Sequence, residues 1–325
     1  MKGKVNIGIL GYANIAKKAI IPTLLEMKDS FQIKAIGTSS FDKFDLIKNE
    51  VKGIEVVNYQ AIIEDSTIHA VYIPLPNALH YPWIEAALKA NKHVLCEKSL
   101  ACSVEEVKLL CELAKEKNLC LLENFQFRKH EQLQVIKDLI DKGEIGDLRF
   151  IRSSFCFPPF PDADNIRYKK ELGGGALLDA GAYPLKLASE LFGKDIHLKD
   201  ASLHFEDKEV DIWGNGTIYS QTSIPLQFSF GFDQQYQCNI EVIGSKGKIS
   251  TERIFTAPPN HEVTIHLQQN IKKRELRISP MNHYKAMLEH FVDCIENIRL
   301  RQEELEANKL QAKLISEFYQ LSKIK

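Results

Sequence analysis

Over the first 124 residues, short apolar runs alternate with stretches of helical periodicity, and few architectures accept that rhythm. The runs fall at 5–10, 33–37, 70–73, 94–96 and 119–122 and are nearly all apolar. Such runs are what strands buried on both faces require. Between them, residues 15–27, 82–90 and 103–117 carry helical patterns, the first with Pro22 placed to disturb its middle. The last opens with Ser103 and Glu106, the spacing of a capping box. Its apolar positions Val107, Leu110, Cys111 and Ala114 follow helical spacing. The implied first domain is α/β, a parallel sheet with helices on both faces.

After about residue 124 the pattern changes. A charged helix at 128–142 leads into a strand at 147–157, and a glycine-punctuated helix occupies 173–192. Strand-like segments follow at about 198–205, 209–219, 223–232, 236–243 and 261–268. In 223–232, Ile224, Leu226, Phe228, Phe230 and Phe232 share one face, while Pro225, Gln227, Ser229 and Gly231 share the other. Helices near 281–299 and 304–321 close the chain. The reading is two domains, 1–123 and 124–325. The second is α+β with a large, open, mostly antiparallel sheet, and the last helix is left to pack back on the first domain.

Composition excludes several classes. Hydrophobic residues make up 44% and charged residues 26%, the balance of a globular protein. The net charge of -1 gives no electrostatic footprint for nucleic acid or an anionic membrane. No apolar run is long enough to span a bilayer. The start, Met1-Lys2-Gly3-Lys4, runs directly into the first strand and leaves no room for a signal peptide. A cytoplasmic protein is expected. Seven cysteines, an odd number at irregular spacing, read as reduced thiols. No Cys/His grouping has zinc spacing, so no metal site is expected.

Four motifs carry chemistry. Gly11, Tyr12, Ala13, Asn14, Ile15 and Ala16 form G-x-A-x-x-A between the first strand and the first helix. Small residues there allow a tight turn, close approach of a pyrophosphate and close helix packing; packing alone is the bland alternative. The second strand ends in Thr38, Ser39 and Ser40, with no acid before Asp42. A carboxylate there holds the ribose 2′-hydroxyl of NAD. Its absence favours NADP, with NAD as the alternative. Two further strand ends border the same crevice. One carries Pro74, Leu75, Pro76, Asn77 and His80, and the other Glu97 and Lys98. Finally, residues 173–183 read G-G-G-x-x-x-D-x-G-x-Y, with Asp179 and Tyr183 four apart on one helix face and Gly181 between them. Taken alone, that segment suits an ordinary packed helix.

In order and spacing these motifs resemble the Gfo/Idh/MocA oxidoreductases, and the likeness covers nearly the whole chain. It extends to Glu123, Asn124 and Phe125 at the domain junction and to the segment 242–247. The resemblance implies a Rossmann domain followed by an α/β domain whose open sheet forms a homodimer or homotetramer. It also implies that Lys98 matches the catalytic lysine and that Tyr183 occupies a position held by His or Tyr. Phe157 with Pro158 and Pro159, and Ile166 with Arg167 and Tyr168, is most similar to two branches. These are the nucleotide-sugar 3-ketoreductases and the aldose and dihydrodiol dehydrogenases. The run of Glu123, Asn124, Phe125, Gln126 and Phe127 favours the first branch. One departure is Ser99, where the family has proline, which is expected to loosen the backbone after Lys98.

The implied reaction is NAD(P)H-dependent reduction of a sugar ketone. Lys98 stabilises the oxygen and tunes the phenol of Tyr183, which donates the proton. Asp179 orients substrate hydroxyls or Lys98, Arg167 meets the nicotinamide or a phosphate, and Phe157 walls the substrate. Gly11 to Ile15, Thr38 to Ser40, Pro74, Leu75, Asn77, His80, Glu97, Lys98, Asn124 and Arg167 form the expected cofactor set. An aldose or diol dehydrogenase would use the same residues. A non-enzymatic NAD(P)-binding regulator has no need of a proton donor, and an assembly protein would bind no dinucleotide.

Overall fold

The computed structural model describes residues 3–323 and contains two sheets. The first has six strands: β1 (Val5–Leu10), β2 (Phe31–Gly37), β3 (Glu55–Val57), β4 (Ala70–Ile73), β5 (His93–Cys96) and β6 (Leu121–Glu123). All pairs are parallel, in the order β3-β2-β1-β4-β5-β6. The chain runs outward from β1 to β3 and returns beside β1 at β4. The strand order therefore reverses between β1 and β4, the place where open α/β sheets bind ligands.

The second sheet has eight strands: β7 (Leu148–Cys156), β8 (Ile196–His204), β9 (Trp213–Ser220), β10 (Pro225–Gly231), β11 (Gln237–Gly244), β12 (Lys248–Glu252), β13 (Val263–Gln269) and β14 (Lys272–Ile278). Their order is β14-β13-β12-β11-β7-β10-β9-β8, antiparallel except for β7 with β10. As the alternation implied, Leu226, Phe228 and Phe230 of β10 are buried while Gln227 is exposed. The α/β class and the mostly antiparallel second sheet agree with the sequence reading.

The chain divides into two compact units. One comprises the residues up to Asn124 together with Tyr284–Lys309, and the other Phe125–His283 with the residues from Leu310 onward. The continuous division 1–123 and 124–325 therefore differs at Asn124 and in the segment Tyr284–Lys309. Residues of the helix His283–Glu296, namely Met287, Leu288, Phe291, Cys294 and Ile295, are buried with Ile7, Ile9, Tyr72 and Leu95 in the first core. The boundary then falls inside the long helix Ile298–Ser322.

Two helices begin with a π-turn, at Ala16–Ile20 and Leu177–Gly181, and each is followed within three residues by a proline, Pro22 or Pro184. Proline has no N–H for the carbonyl four residues back, and the wider turn redistributes the hydrogen bonds. Ile21 N–H thus reaches the Ala16 carbonyl, and Ala182 N–H the Leu177 carbonyl. The capping box forms as expected, with Glu106 N–H donating to Ser103 Oγ and Ser103 N–H to Glu106 Oε2.

Candidate active site

Gly11 directly follows β1 at φ +120°, a conformation that side chains rarely adopt. A Cβ there would stand 3.0 Å from Leu75 Cδ2 and 3.7 Å from Pro74 Cγ, so the ends of β1 and β4 pass close together. Asn14 is exposed, and Ala13 and Ile15 are half-buried at the start of the first helix. The first amides of that helix have no intrahelical partner and suit an anion. The Tyr12 hydroxyl donates to Glu50 Oε2 at 2.8 Å, while Lys17 Nζ donates to Glu50 Oε1 at 2.7 Å. Burial and the Glu50 carboxylate push the Tyr12 phenol up to about 12. The Tyr12 side chain thus fastens the turn, leaving the backbone of residues 12–15 to meet a ligand.

At the end of β2, Thr38 is buried and its Oγ1 accepts from the Ser40 amide at 3.2 Å. Its hydroxyl shapes the turn instead of facing outward. Ser39 is exposed and Ser40 half-buried.

The segment after β5 is fastened from several sides. Glu97 Oε1 accepts from the Tyr72 hydroxyl and from Asn124 Nδ2, both at 2.7 Å. Ser99 N–H donates to Asn77 Oδ1 at 3.2 Å, and Leu100 N–H to Glu123 Oε1 at 3.2 Å. His80 is fully buried, with Nδ1 2.6 Å from the Ser99 carbonyl and Nε2 2.7 Å from the Leu75 carbonyl. Burial lowers the His80 pKa to about 4, and its two carbonyl partners oppose that shift. Asn77 and His80, expected beside the cofactor, are tied to the backbone that carries Lys98.

Ser99 corrects the expectation of a loosened backbone. It is 3% exposed, and its amide makes a bond to Asn77 that a proline lacks the hydrogen to make. The Lys98–Ser99 peptide is cis, and Lys98 itself is half-buried.

In the second unit, Tyr183 is 6% exposed and sits among four rings. Their centroids lie at 4.8 Å (Phe155), 5.2 Å (Phe125), 5.5 Å (Phe255) and 5.9 Å (Phe127). Asp179 Oδ2 accepts from Arg167 Nε at 2.5 Å, and the Arg167 guanidinium lies 4.7 Å from the Phe160 ring centre. Asp179 raises the Arg167 pKa further. The carboxylate expected to orient substrate or Lys98 thus holds Arg167. Phe157 packs on Phe155 and Tyr236, and the Phe160 amide donates to the Tyr168 hydroxyl. Close approach at Gly181 is realised by Phe230, 3.0 Å from where a Cβ would stand.

Asp211 had no sequence signal beyond its place in a strand-like run. Its Oδ2 accepts from the Leu177 amide at 2.6 Å, and a Cβ on Gly175 would lie 2.6 Å from its Oδ1. It therefore fixes the start of the helix that bears Asp179 and Tyr183. Burial raises its carboxyl to about 6.

Residues 5–125 match the model of the Gfo/Idh/MocA oxidoreductase family, NAD-binding Rossmann fold, and residues 133–250 match its C-terminal domain. The chain is 33% identical to the dTDP-3,4-didehydro-2,6-dideoxy-alpha-D-glucose 3-reductase of Actinomadura kijaniata, covering 96% of this chain and 93% of that one.

The chain belongs to the Gfo/Idh/MocA family.

A solved 3-ketoreductase from Actinomadura kijaniata, in complex with NADP and TDP-benzene, superposes with a TM-score of 0.92. Its identity is 32%, covering 98% of this chain and 97% of that one. A NADP-dependent D-xylose 1-dehydrogenase of Haloferax volcanii is 26% identical, covering 89% of this chain and 88% of that one. All seven cysteines are free thiols, six buried and Cys102 exposed. Among the described residues no helix is long and apolar enough to cross a membrane.

Proposed function

We propose that this chain is an NADP(H)-dependent oxidoreductase that reduces a keto group of a nucleotide-linked deoxysugar at carbon 3. What carries the reading is near full-length similarity to dTDP-keto-deoxysugar 3-reductases, joined to the fastening of the Lys98 segment at the end of β5. The residues present fit a dinucleotide. Gly11 keeps the β1 turn low, and Asn124 Oδ1 is a buried acceptor with no hydrogen-bond partner among the described residues.

The bound cofactor supplies the hydride for the ketone carbon. The backbone of Gly11 to Ile15 holds the pyrophosphate, aided by Pro74 and Leu75, while Asn124 holds the cofactor's polar groups. Ser39 and Ser40 hydrogen-bond the 2′-phosphate. Glu97, Asn77 and His80 position Lys98, whose ammonium stabilises charge on the carbonyl oxygen. Tyr183 donates the proton that completes the alcohol and is reprotonated from solvent. Arg167, held by Asp179, contributes a cation for the nucleotide phosphates, and Phe157 packs against the substrate.

NADPH is expected to bind about tenfold or more tightly than NADH, the yield of one charged hydrogen bond of roughly 1.5 kcal/mol. Fluorescence titration with each cofactor checks this; tighter NADH binding removes the assignment of Ser39 and Ser40. Oxidation of a free aldose is the second reading, favoured by the likeness to D-xylose 1-dehydrogenase. A rate with NADP and aldoses exceeding that with the nucleotide sugar would select it.

The chain is also expected to work in the cytoplasm as a homodimer or homotetramer through the second sheet. Between the buried positions of β7 and β11, the alternate residues Phe150, Arg152, Asn239, Glu241 and Ile243 remain partly or fully exposed. Light scattering at micromolar concentration is expected to give twice or four times the chain mass, and a monomer refutes the association.

A further inference from the structure

Outside the residues assigned to the reaction, one group of side chains in the first unit has the chemistry of a metal site. His290 and Cys294 stand four apart on the helix His283–Glu296, so both project from one face. Glu304, on the helix Ile298–Ser322, reaches the same point. His290 Nε2 lies 2.8 Å from Glu304 Oε1 and 3.4 Å from Cys294 Sγ. One donor atom from each of the three lies within 4.8 Å of the others. Cys120, beside β6, neighbours Cys294 but lies outside the set of donor atoms within 4.8 Å of one another, so its side chain must shift to complete the set.

A tetrahedral zinc ion with bonds of about 2.0–2.3 Å holds its ligand atoms about 3.3–3.8 Å apart. The spacing among His290, Cys294 and Glu304 straddles that range, so these three need only small rotamer changes. Burial also suits a resident ion. Cys120 and Cys294 are 0% exposed and Glu304 is 4% exposed, whereas the His290 side chain keeps 12% exposure and offers a path of entry. With two thiolates, one carboxylate and a neutral imidazole, a dication leaves the site at net -1. The Arg301 guanidinium interacts electrostatically with Cys120 and can balance that charge.

We infer that Cys120, His290, Cys294 and Glu304 form a structural zinc site that pins the two C-terminal helices to the parallel sheet. Binding releases the two thiol protons to solvent, and His290 adopts the tautomer with its proton on Nδ1. The site adds a metal link to the apolar packing that joins this segment, distant in sequence, to the first unit. Zinc spacing was invisible in the sequence. The ligands comprise one His-x-x-x-Cys pair, a glutamate ten residues later and a cysteine from another region.

The test uses the full-length protein purified under reducing conditions without chelators. About one zinc per chain is expected by mass spectrometry of the metal content. Exchange for cobalt is expected to produce a thiolate-to-cobalt charge-transfer band in the near ultraviolet. Adding zinc to the metal-free protein should raise its Tm. His290→Ala and Glu304→Gln should each lose the retained metal on dialysis and the Tm response. Metal retention no greater than in His290→Ala, or a native Cys120–Cys294 disulfide, overturns the site. If His290→Ala does not fold, the wild-type cobalt spectrum decides, and a spectrum lacking the thiolate band overturns it.

Discussion

Lys98→Ala is expected to lower turnover of the nucleotide-linked keto sugar by about 100- to 1000-fold, the loss typical of removing one group that stabilises an oxyanion. NADPH binding should change much less. The segment that carries Lys98 is fastened by Tyr72, Asn77, His80, Glu123 and Asn124, none of which depends on the ammonium. Steady-state kinetics beside a binding titration separate the two effects. If Lys98→Ala mainly weakens NADPH binding and turns over normally at saturation, the lysine serves the cofactor and not the reaction.

Tyr183→Phe is expected to lower turnover by about 100-fold or more, within the range of a lost general acid. The substitution keeps the ring that packs against Phe125, Phe127, Phe155 and Phe255 and removes only the hydroxyl. A stability loss of about 1 kcal/mol, the worth of one hydrogen bond, is expected. The double variant with Lys98→Ala should cost much less than the product of the single effects if both groups serve one oxygen. Wild-type turnover in Tyr183→Phe would leave Tyr183 as a core aromatic and move the proton donor elsewhere.

Where periodicity was strong, the fold was legible. Strand β1, strand β4 and the capped helix Val104–Glu116 follow from apolar runs and a capping box. The strands that escaped notice have physical reasons for doing so. Strand β3 is three residues long, and β12 is short and largely polar. Strand β14 reads Lys-Lys-Arg-Glu-Leu-Arg-Ile and ends the sheet, where charge guards an open edge and erases the alternation. The short helices Phe44–Glu50 and Tyr59–Glu64 offered too few turns for a clear period. The membership of Tyr284–Lys309 in the first unit depends on long-range packing of Met287, Leu288 and Phe291.

For the candidate site, the motifs named candidate residues but not what each one touches. Asn77 and His80 read as cofactor contacts and proved to bind the backbone around Lys98. Ser99 read as a loosening and proved to be an anchored residue. Thr38 turned its hydroxyl into its own turn, and Asp179 went to Arg167. In each case the partner is a backbone atom or a side chain whose position only the folded chain determines. Residue type and spacing carry no record of it.

The most direct test follows the hydride. The chain is incubated with NADPH deuterated at the transferable position of the nicotinamide and with dTDP-3,4-didehydro-2,6-dideoxy-glucose generated in place. Deuterium is expected at carbon 3 of the sugar, seen by mass spectrometry and nuclear magnetic resonance, with one NADPH consumed for each alcohol formed. A protein that binds NADPH yet leaves this sugar unlabelled, while oxidising free aldoses with NADP, would contradict the assignment.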